Sequence, residues 1–326
     1  NCGGTIDVGS LLVPPVSDQI TLGIVSLWSG NISVIANGDI NVDGSRIATY
    51  DGGNIFVESL HGNVNAGTGG GEPVLIHKVF INAQGQLEVT SDEIPGSGIL
   101  ATSFPELVYG ETASQSQIGN ITVETPQGSI EASQGGIVQL ALGPVARNHA
   151  TINLTAGTEN SDGTTAFVGN VDATGSGVVG GQVNISATGD IVGLVVASVG
   201  ANVNALQNVS ATVLSQGSAT VSAGGTVSGT VVGVGSVSVS GASDVAAAFG
   251  GSGVSTSGAV SGAAVAAAPT ASNSGAAAAT TQQVTQSTQS NSDLAANDTG
   301  DDIDKKKKKK QLMEYAGRVT VLLPEK

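Results

Sequence analysis

The sequence predicts an all-β fold in which short parallel strands coil and stack on one another, and three observations predict it. The first is a recurring phrase of glycine, a small polar residue and a β-branched residue, as in Gly30-Asn31-Ile32, Gly38-Asp39-Ile40, Gly53-Asn54-Ile55, Gly62-Asn63-Val64, Gly119-Asn120-Ile121 and Gly189-Asp190-Ile191. The second is alternation after most copies of the phrase: apolar and polar residues take turns, as in Ile32-Ser33-Val34 and Ile121-Thr122-Val123, and the next copy within a cluster begins seven to nine residues on. That period is a short strand closed by a turn. The third is composition, with 48 glycines, 3% aromatic residues and 11% charged residues among 326. Valine, isoleucine and alanine suit a narrow core lined by strands, and glycine with β-branched residues disfavours helix. No such strand buries its own apolar face, so the copies must stack. A parallel coil of roughly 20 residues per turn places like on like about 4.8 Å apart. Glycine is expected at the corners for its access to positive φ.

In order along the chain, residues 1–18 form a lead-in that contains Pro14-Pro15. The solenoid then spans 19–265 and begins with a buried-strand pattern, Ile20 to Val25. An excursion near 66–117 interrupts it. It opens on the glycine-rich joint Gly67 to Gly71 and carries Val74-Leu75-Ile76, Val79-Phe80-Ile81 and most of the side-chain variety. The phrase returns over 118–143, and 144–180 reads as a second looser stretch. From Val183 the repeats simplify until Val237-Ser238-Val239-Ser240 alternates strictly. Residues 266–311 are a low-complexity linker of Ala, Ser, Thr, Gln and Asn that ends in six lysines, and 312–326 hold a terminal strand closed by Pro324.

Charge divides the chain. Up to residue 265 there are 3 basic and 19 acidic residues, so this body repels nucleic acid and anionic lipid, and no nucleic-acid partner is expected. No run of about 20 strongly apolar residues is present, so no transmembrane helix is expected. Cys2 is the single cysteine, which excludes an internal disulfide. Neither a starting Met nor a signal peptide is seen, as expected of a processed chain or a piece of a longer one.

Asp39, Asp43 and Asp51, with Arg46 and Tyr50 between them, are the candidate cluster for acid–base or calcium chemistry. The competing reading is that they cap turns beside glycine; Asp39 stands where Asn31 stands one copy earlier. His61, His77 and His149 show no metal-ligand spacing. Asn31, Asn120, Asn153, Asn184, Asn208 and Asn297 match Asn-x-Ser/Thr, a pattern that arises readily in such a composition. No catalytic residue, cofactor or metal is assigned. The lysine run Lys305, Lys306, Lys307, Lys308, Lys309 and Lys310 is a solvated spacer, a binder of anionic surface polymer or lipid headgroups, or a segment that docks onto the acidic body of the same chain. Val319, Thr320, Val321, Leu322 and Leu323 form a strand that can add to an open sheet edge.

The Gly-Asn-Ile-x-Val and Gly-Asp-Ile-x-Val phrases resemble the filamentous-haemagglutinin-type exoproteins of bacterial two-partner secretion. The Ser/Val/Gly-rich run, the lysine block and the terminal Gly317-Arg318-Val319-Thr320-Val321-Leu322 look like the C-terminal portion of such proteins. The resemblance implies a right-handed parallel β-helix, secretion to the bacterial cell surface, and adhesion to surface glycans, other cells or copies of itself. The expected function is therefore that of a non-catalytic structural or adhesive exoprotein. The alternatives are a self-assembling filament or matrix subunit completed by the terminal strand, and a polysaccharide-active β-helix enzyme.

Overall fold

The chain divides into two units, Asn1–Thr288 and Gln289–Lys326. The structure, a computed structural model, describes residues 3–8, 23–26, 30–67, 74–81, 84, 86–94, 96–103, 105–106, 114–115, 117–141 and 149–261, all in the first unit. The predicted linker at 266–311 and terminal strand at 312–326 lie outside the described residues, as do Lys305 to Lys310 and Val319 to Leu323.

The parallel registers trace three faces of a β-solenoid, each with nine rungs carried by strands among the described residues, and a single parallel bridge, Val245 to Val260, extends face two. Face one carries the inward residues Ile32, Ile55, Ile121, Ile152, Val183, Ala201, Ala219, Val237 and Val254. Face two carries Ile6, Ile40, Val64, Ile130, Val171, Ile191, Val209, Val227 and Val245. Face three carries Ile24, Ile47, Ile99, Ile137, Val178, Val195, Val213, Val231 and Phe249. The chain visits the faces in this order, so strands adjacent in sequence lie on different faces and strands one turn apart pair in parallel. All but the end rungs are sealed in one continuous core, and each fully buried Val or Ile contributes about 1.5–3 kcal/mol.

The core narrows along the stack. Isoleucine dominates the first rungs, and valine with alanine fills the later ones. Coil length changes too, from 23 residues at Asn31–Asn54 to 31 at Asn120–Thr151 and then to a repeating 18 from Asn184. The strand Val171–Ala187 turns two corners and supplies rungs to all three faces. Gly175 and Gly177, at φ 73° and 71°, make the first of those corners.

The excursion near 66–117 is two departures rather than one. The first contains an antiparallel hairpin, Val74–Ile81 with Leu87–Ile94, that forms its own sheet. The strand Gly98–Ser103 then returns to the stack, with Ile99 between Ile47 and Ile137. Its residues are buried throughout, so burial, not the glycine phrase, brings it back. Pro105–Glu106 and Ser114–Gln115 pair in the second departure. A third hairpin, Thr151–Glu159 with Thr165–Val168, leaves from within the looser stretch at 144–180. Among the described residues no helix is long and apolar enough to cross a membrane.

Gly53 and Gly136 meet the expectation of positive φ, at 96° and 77°, but six other glycines of the recurring phrase differ from it. Gly38, Gly62, Gly119, Gly128, Gly189 and Gly225 have no positive φ. Their need is closeness: a Cβ on Gly119 would strike the Gly53 carbonyl, and one on Gly128 the Gly62 carbonyl. The bend of one coil rests directly on the bend before it, and only glycine fits between. The polar residue after the glycine reaches across coils rather than within its own bend. Asp39 Oδ1 accepts from the Asn63 N–H at 2.7 Å, Asn63 Oδ1 from Ser129 at 2.8 Å, Asn170 Oδ1 from Asp190 at 2.8 Å and Asn208 Oδ1 from Thr226 at 3.0 Å. A second such ladder runs Asn31, Asn54, Asn120, Thr151. Asp39 thus belongs with Asn63, one coil on, and not with Asn31, because the phrase occurs more than once per turn.

Asn208 sits in the middle of the first ladder and also donates to Asp190 Oδ1 at 2.9 Å. An Asn208→Ala variant is expected to lose about 0.5–1.5 kcal/mol of unfolding free energy, since water replaces part of each exposed bond. Urea titration measures this. Asn208→Ser keeps an uncharged acceptor, as Ser129 does for the Asn170 N–H, and is expected to lose less; equal losses in both variants would remove the ladder bond as the cause.

Candidate functional site

Along each face the residues between the core positions point outward and form rows of their own, one residue per coil. The three faces differ in chemistry. On face two the row holds Asp7, Asn41, Asn65, Glu131 and Asp172, tied by Asn41 to Asp7 at 2.8 Å and Asn65 to Glu131 at 3.0 Å. On face three it is apolar: Ala48, Leu100 and Val138 are buried in a second cluster with Tyr50. Face one carries the outward apolar residues Ile35 and Phe56 on its first rungs but is polar and open from Thr122 onward, and here lies the candidate site.

The site is a shallow groove of about 590 Å³ between Thr122 and Asn204. Its floor is two parallel rows from four successive rungs. One row is Thr122, Asn153, Asn184, Asn202; the other is Glu124, Thr155, Ser186, Asn204. Alternation places these side chains outward because Val123, Leu154, Ile185 and Val203 fill the core beneath. The three asparagines form an amide ladder. Asn202 Nδ2 donates to Asn184 Oδ1 at 2.9 Å, and Asn184 Nδ2 to Asn153 Oδ1 at 2.9 Å. Gln182 adds a bond to Asn184 Oδ1 at 3.2 Å, and Ser222 Oγ donates to Asn204 Oδ1 at 2.6 Å. These bonds lock the rotamers but use only part of each amide's capacity of about four hydrogen bonds. The remainder is a fixed array of donors and acceptors, repeated about every 4.8 Å along the stack.

Two carboxylates border the groove at its end. Glu58 and Glu124 are register partners on adjacent rungs of the same row, both half-buried. The chain separates them by a full departure, so sequence spacing hides the pair. The shared phrase Ile-x-Val-Glu, at Ile55 and Ile121, is the signal that could have found it.

The cluster around Asp39 does not assemble into an exposed acidic site. Asp39 is a ladder residue of the turn into face two. Asp43 and Asp51 occupy left-handed positions at φ 54° and 69°. Arg46 and Tyr50 are buried at 1% and 2% exposure, with Arg46 Nη1 3.4 Å from the Tyr50 hydroxyl. Tyr50 thus packs against Leu100 rather than facing a substrate. Asn31, Asn120 and Asn208 serve the inter-coil ladders, and Asn153 and Asn184 the groove; Asn297 lies outside the described residues. His61 lies on an exposed turn, and His149 is exposed at the entry to a rung. Among the described residues no three His, Cys, Asp or Glu side chains converge to hold a metal ion.

One further acid is held by its own turn. Asp162, at the tip of the third hairpin, accepts from the Thr164 hydroxyl at 2.6 Å and its N–H at 3.0 Å. Those bonds favour the ionised form and hold its carboxyl below the usual aspartate range. This is turn chemistry, and the groove lies elsewhere. No protein family, curated protein or solved structure matches this chain.

Proposed function

We propose that this chain is a non-catalytic structural and adhesive protein that works outside the cell, and that the groove on face one is its contact surface. The observation that carries this reading is the amide ladder Asn153–Asn184–Asn202. A periodic, rigid array of amides and hydroxyls matches a polyhydroxylated chain lying along the stack better than it matches a single small molecule. The flanking Glu58 and Glu124 favour uncharged over acidic glycans by like-charge repulsion. Secretion to a bacterial surface rests on the likeness of the repeats to filamentous-haemagglutinin-type exoproteins, and protease shaving of intact cells tests it.

The adhesion test is retention of the full chain on immobilised neutral polysaccharides. An Asn184→Leu, Asn202→Leu variant, with both changes on the outer row, is expected to keep the β spectrum and lose about tenfold in affinity, as two ladder amides vanish. Retention equal to that of the unaltered chain would sink the reading. Glu58 and Glu124 support one rival, a polysaccharide-cleaving enzyme, because adjacent carboxylates can share acid–base work. Under that rival the chain releases product and Glu124→Gln abolishes the release; under the adhesive reading no product forms.

A further inference from the structure

Resting on the adhesive reading of the groove, we infer that Phe56 is its terminal stacking platform, and that the ligand is an extended, neutral β-1,4-linked chain of pyranoses with equatorial hydroxyls, as in a β-glucan. Phe56 is the register partner of Thr122, which in turn partners Asn153. One outward row therefore runs Phe56, Thr122, Asn153, Asn184, Asn202 over five consecutive rungs. The chain is only 3% aromatic, and Tyr50 and Phe249 are buried at 2% and 7% exposure. Among the described residues of the three faces, Phe56 is the one aromatic that stands on an outward row and is half-exposed. Its exposure is not an end effect. The strand Ile55–Ser59 has Ile32–Ala36 paired on one side and Ile121–Thr125 on the other. An ordinary bend joins it to Val64–Asn65, so no departure of the chain begins or ends on it.

The row offers two kinds of contact, and a sugar chain has a match for each. Amides and hydroxyls bond the hydroxyls at a sugar's edge. An aromatic face takes the C–H face of a pyranose ring. That C–H face is flat only where the hydroxyls are equatorial, so an axial hydroxyl lifts the sugar off the ring. Glu58 stands two residues from Phe56 on the same side of the strand, and Glu124 lies beside Glu58 one rung on. Each carboxylate accepts from the hydroxyls of a sugar seated on Phe56, and repels a sugar acid there. The period of the stack selects the linkage. A β-1,4-linked pyranose chain is a nearly straight ribbon that advances by about one rung spacing, roughly 4.8 Å, per sugar. Successive sugars then meet successive rungs, from Phe56 to Asn202. An α-1,4-linked chain coils and touches only part of the row. The ladder bonds hold the asparagine rotamers before the ligand arrives, which lowers the ordering cost of binding.

Calorimetry on the full chain compares cellohexaose, cellotriose and maltohexaose. Cellohexaose reaches from the asparagine ladder to Phe56 and is expected to bind at least about tenfold tighter than either of the others. Phe56→Ala is expected to weaken cellohexaose about tenfold, and cellotriose, which the ladder alone accommodates, less than about twofold. Phe56→Leu keeps the bulk and loses the ring, and is expected to behave as Phe56→Ala does. Phe56→Trp is expected to bind cellohexaose at least as tightly as the unaltered chain. All three variants are expected to keep the β spectrum. Absence of cellohexaose binding, unchanged affinity in Phe56→Ala, equal weakening of both cello-oligosaccharides, full affinity in Phe56→Leu, or equal binding of maltohexaose would each overturn the inference. The groove reading survives any of these if retention on neutral polysaccharide still falls in the Asn184→Leu, Asn202→Leu variant. Retention that ignores that variant, with no binding of any of the three sugars, would overturn both.

Discussion

Replacing Gln139 by alanine is expected to remove about 3–5 kcal/mol of stability, because one buried side chain satisfies three backbone groups and each orphaned group costs about 1–3 kcal/mol. Gln139 is 4% exposed and lies where face three gives way to face one. Its Nε2 donates to the Gly119 carbonyl at 2.8 Å and to the Thr151 carbonyl at 3.1 Å, and its Oε1 accepts from the Gly181 N–H at 3.1 Å. Gly119 and Thr151 enter successive rungs of face one, and Gly181 precedes the next. One amide thus ties three coils where 31-residue turns leave the regular period. Gln139→Glu separates the two roles: it keeps an acceptor for Gly181 but repels both carbonyls, so it too is expected to be strongly destabilised at neutral pH. Urea unfolding measures both variants. A loss under about 1 kcal/mol in either, less than one orphaned group costs, would mean that water replaces the amide.

Val203→Asp is expected to be comparably severe but local. Val203 is 1% exposed, between Ile185 and Val221 in the core of face one. An unpaired carboxylate there costs more than about 4 kcal/mol, the range in which a burial fault rather than a lost contact dominates. In a solenoid each coil touches only its neighbours, so the fault has no reason to spread to the far end. Hydrogen exchange is expected to show lost protection across 191–261 and retained protection across 30–67 and 121–141. Uniform loss over all rungs would show a single cooperative unit instead. Val203→Ala removes volume without charge and is expected to cost about 1–3 kcal/mol.

The parallel stack is legible in the sequence because its cause is local. Ile-Ser-Val and Ile-Thr-Val alternate within five residues, and a glycine precedes each. The features that escape depend on register, which no local pattern contains. Gly98–Ser103 lacks the polar residue after glycine and so resembles part of an excursion, although Ile99 is fully buried. Asn153, Asn184 and Asn202 are visible as single residues flanked by apolar neighbours, and two of them match the Asn-x-Ser/Thr pattern. Their ladder forms only because turns of 31 and 18 residues bring them to the same height. Glu58 and Glu124, 66 positions apart in equivalent places, meet for the same reason. The glycine of the phrase suggests backbone freedom, which Gly53 and Gly136 use; the packing role of Gly119 and Gly128 needs the neighbouring coil in view.

The regular 18-residue turns that begin at Asn184 have a consequence for how such a molecule can change over generations. Their core rows, bend glycines and asparagine caps present the same chemistry above and below. A tandem duplication of one turn would leave both seams as they were. Reach becomes a heritable quantity, adjustable in whole steps and separable from the residues that grip a target.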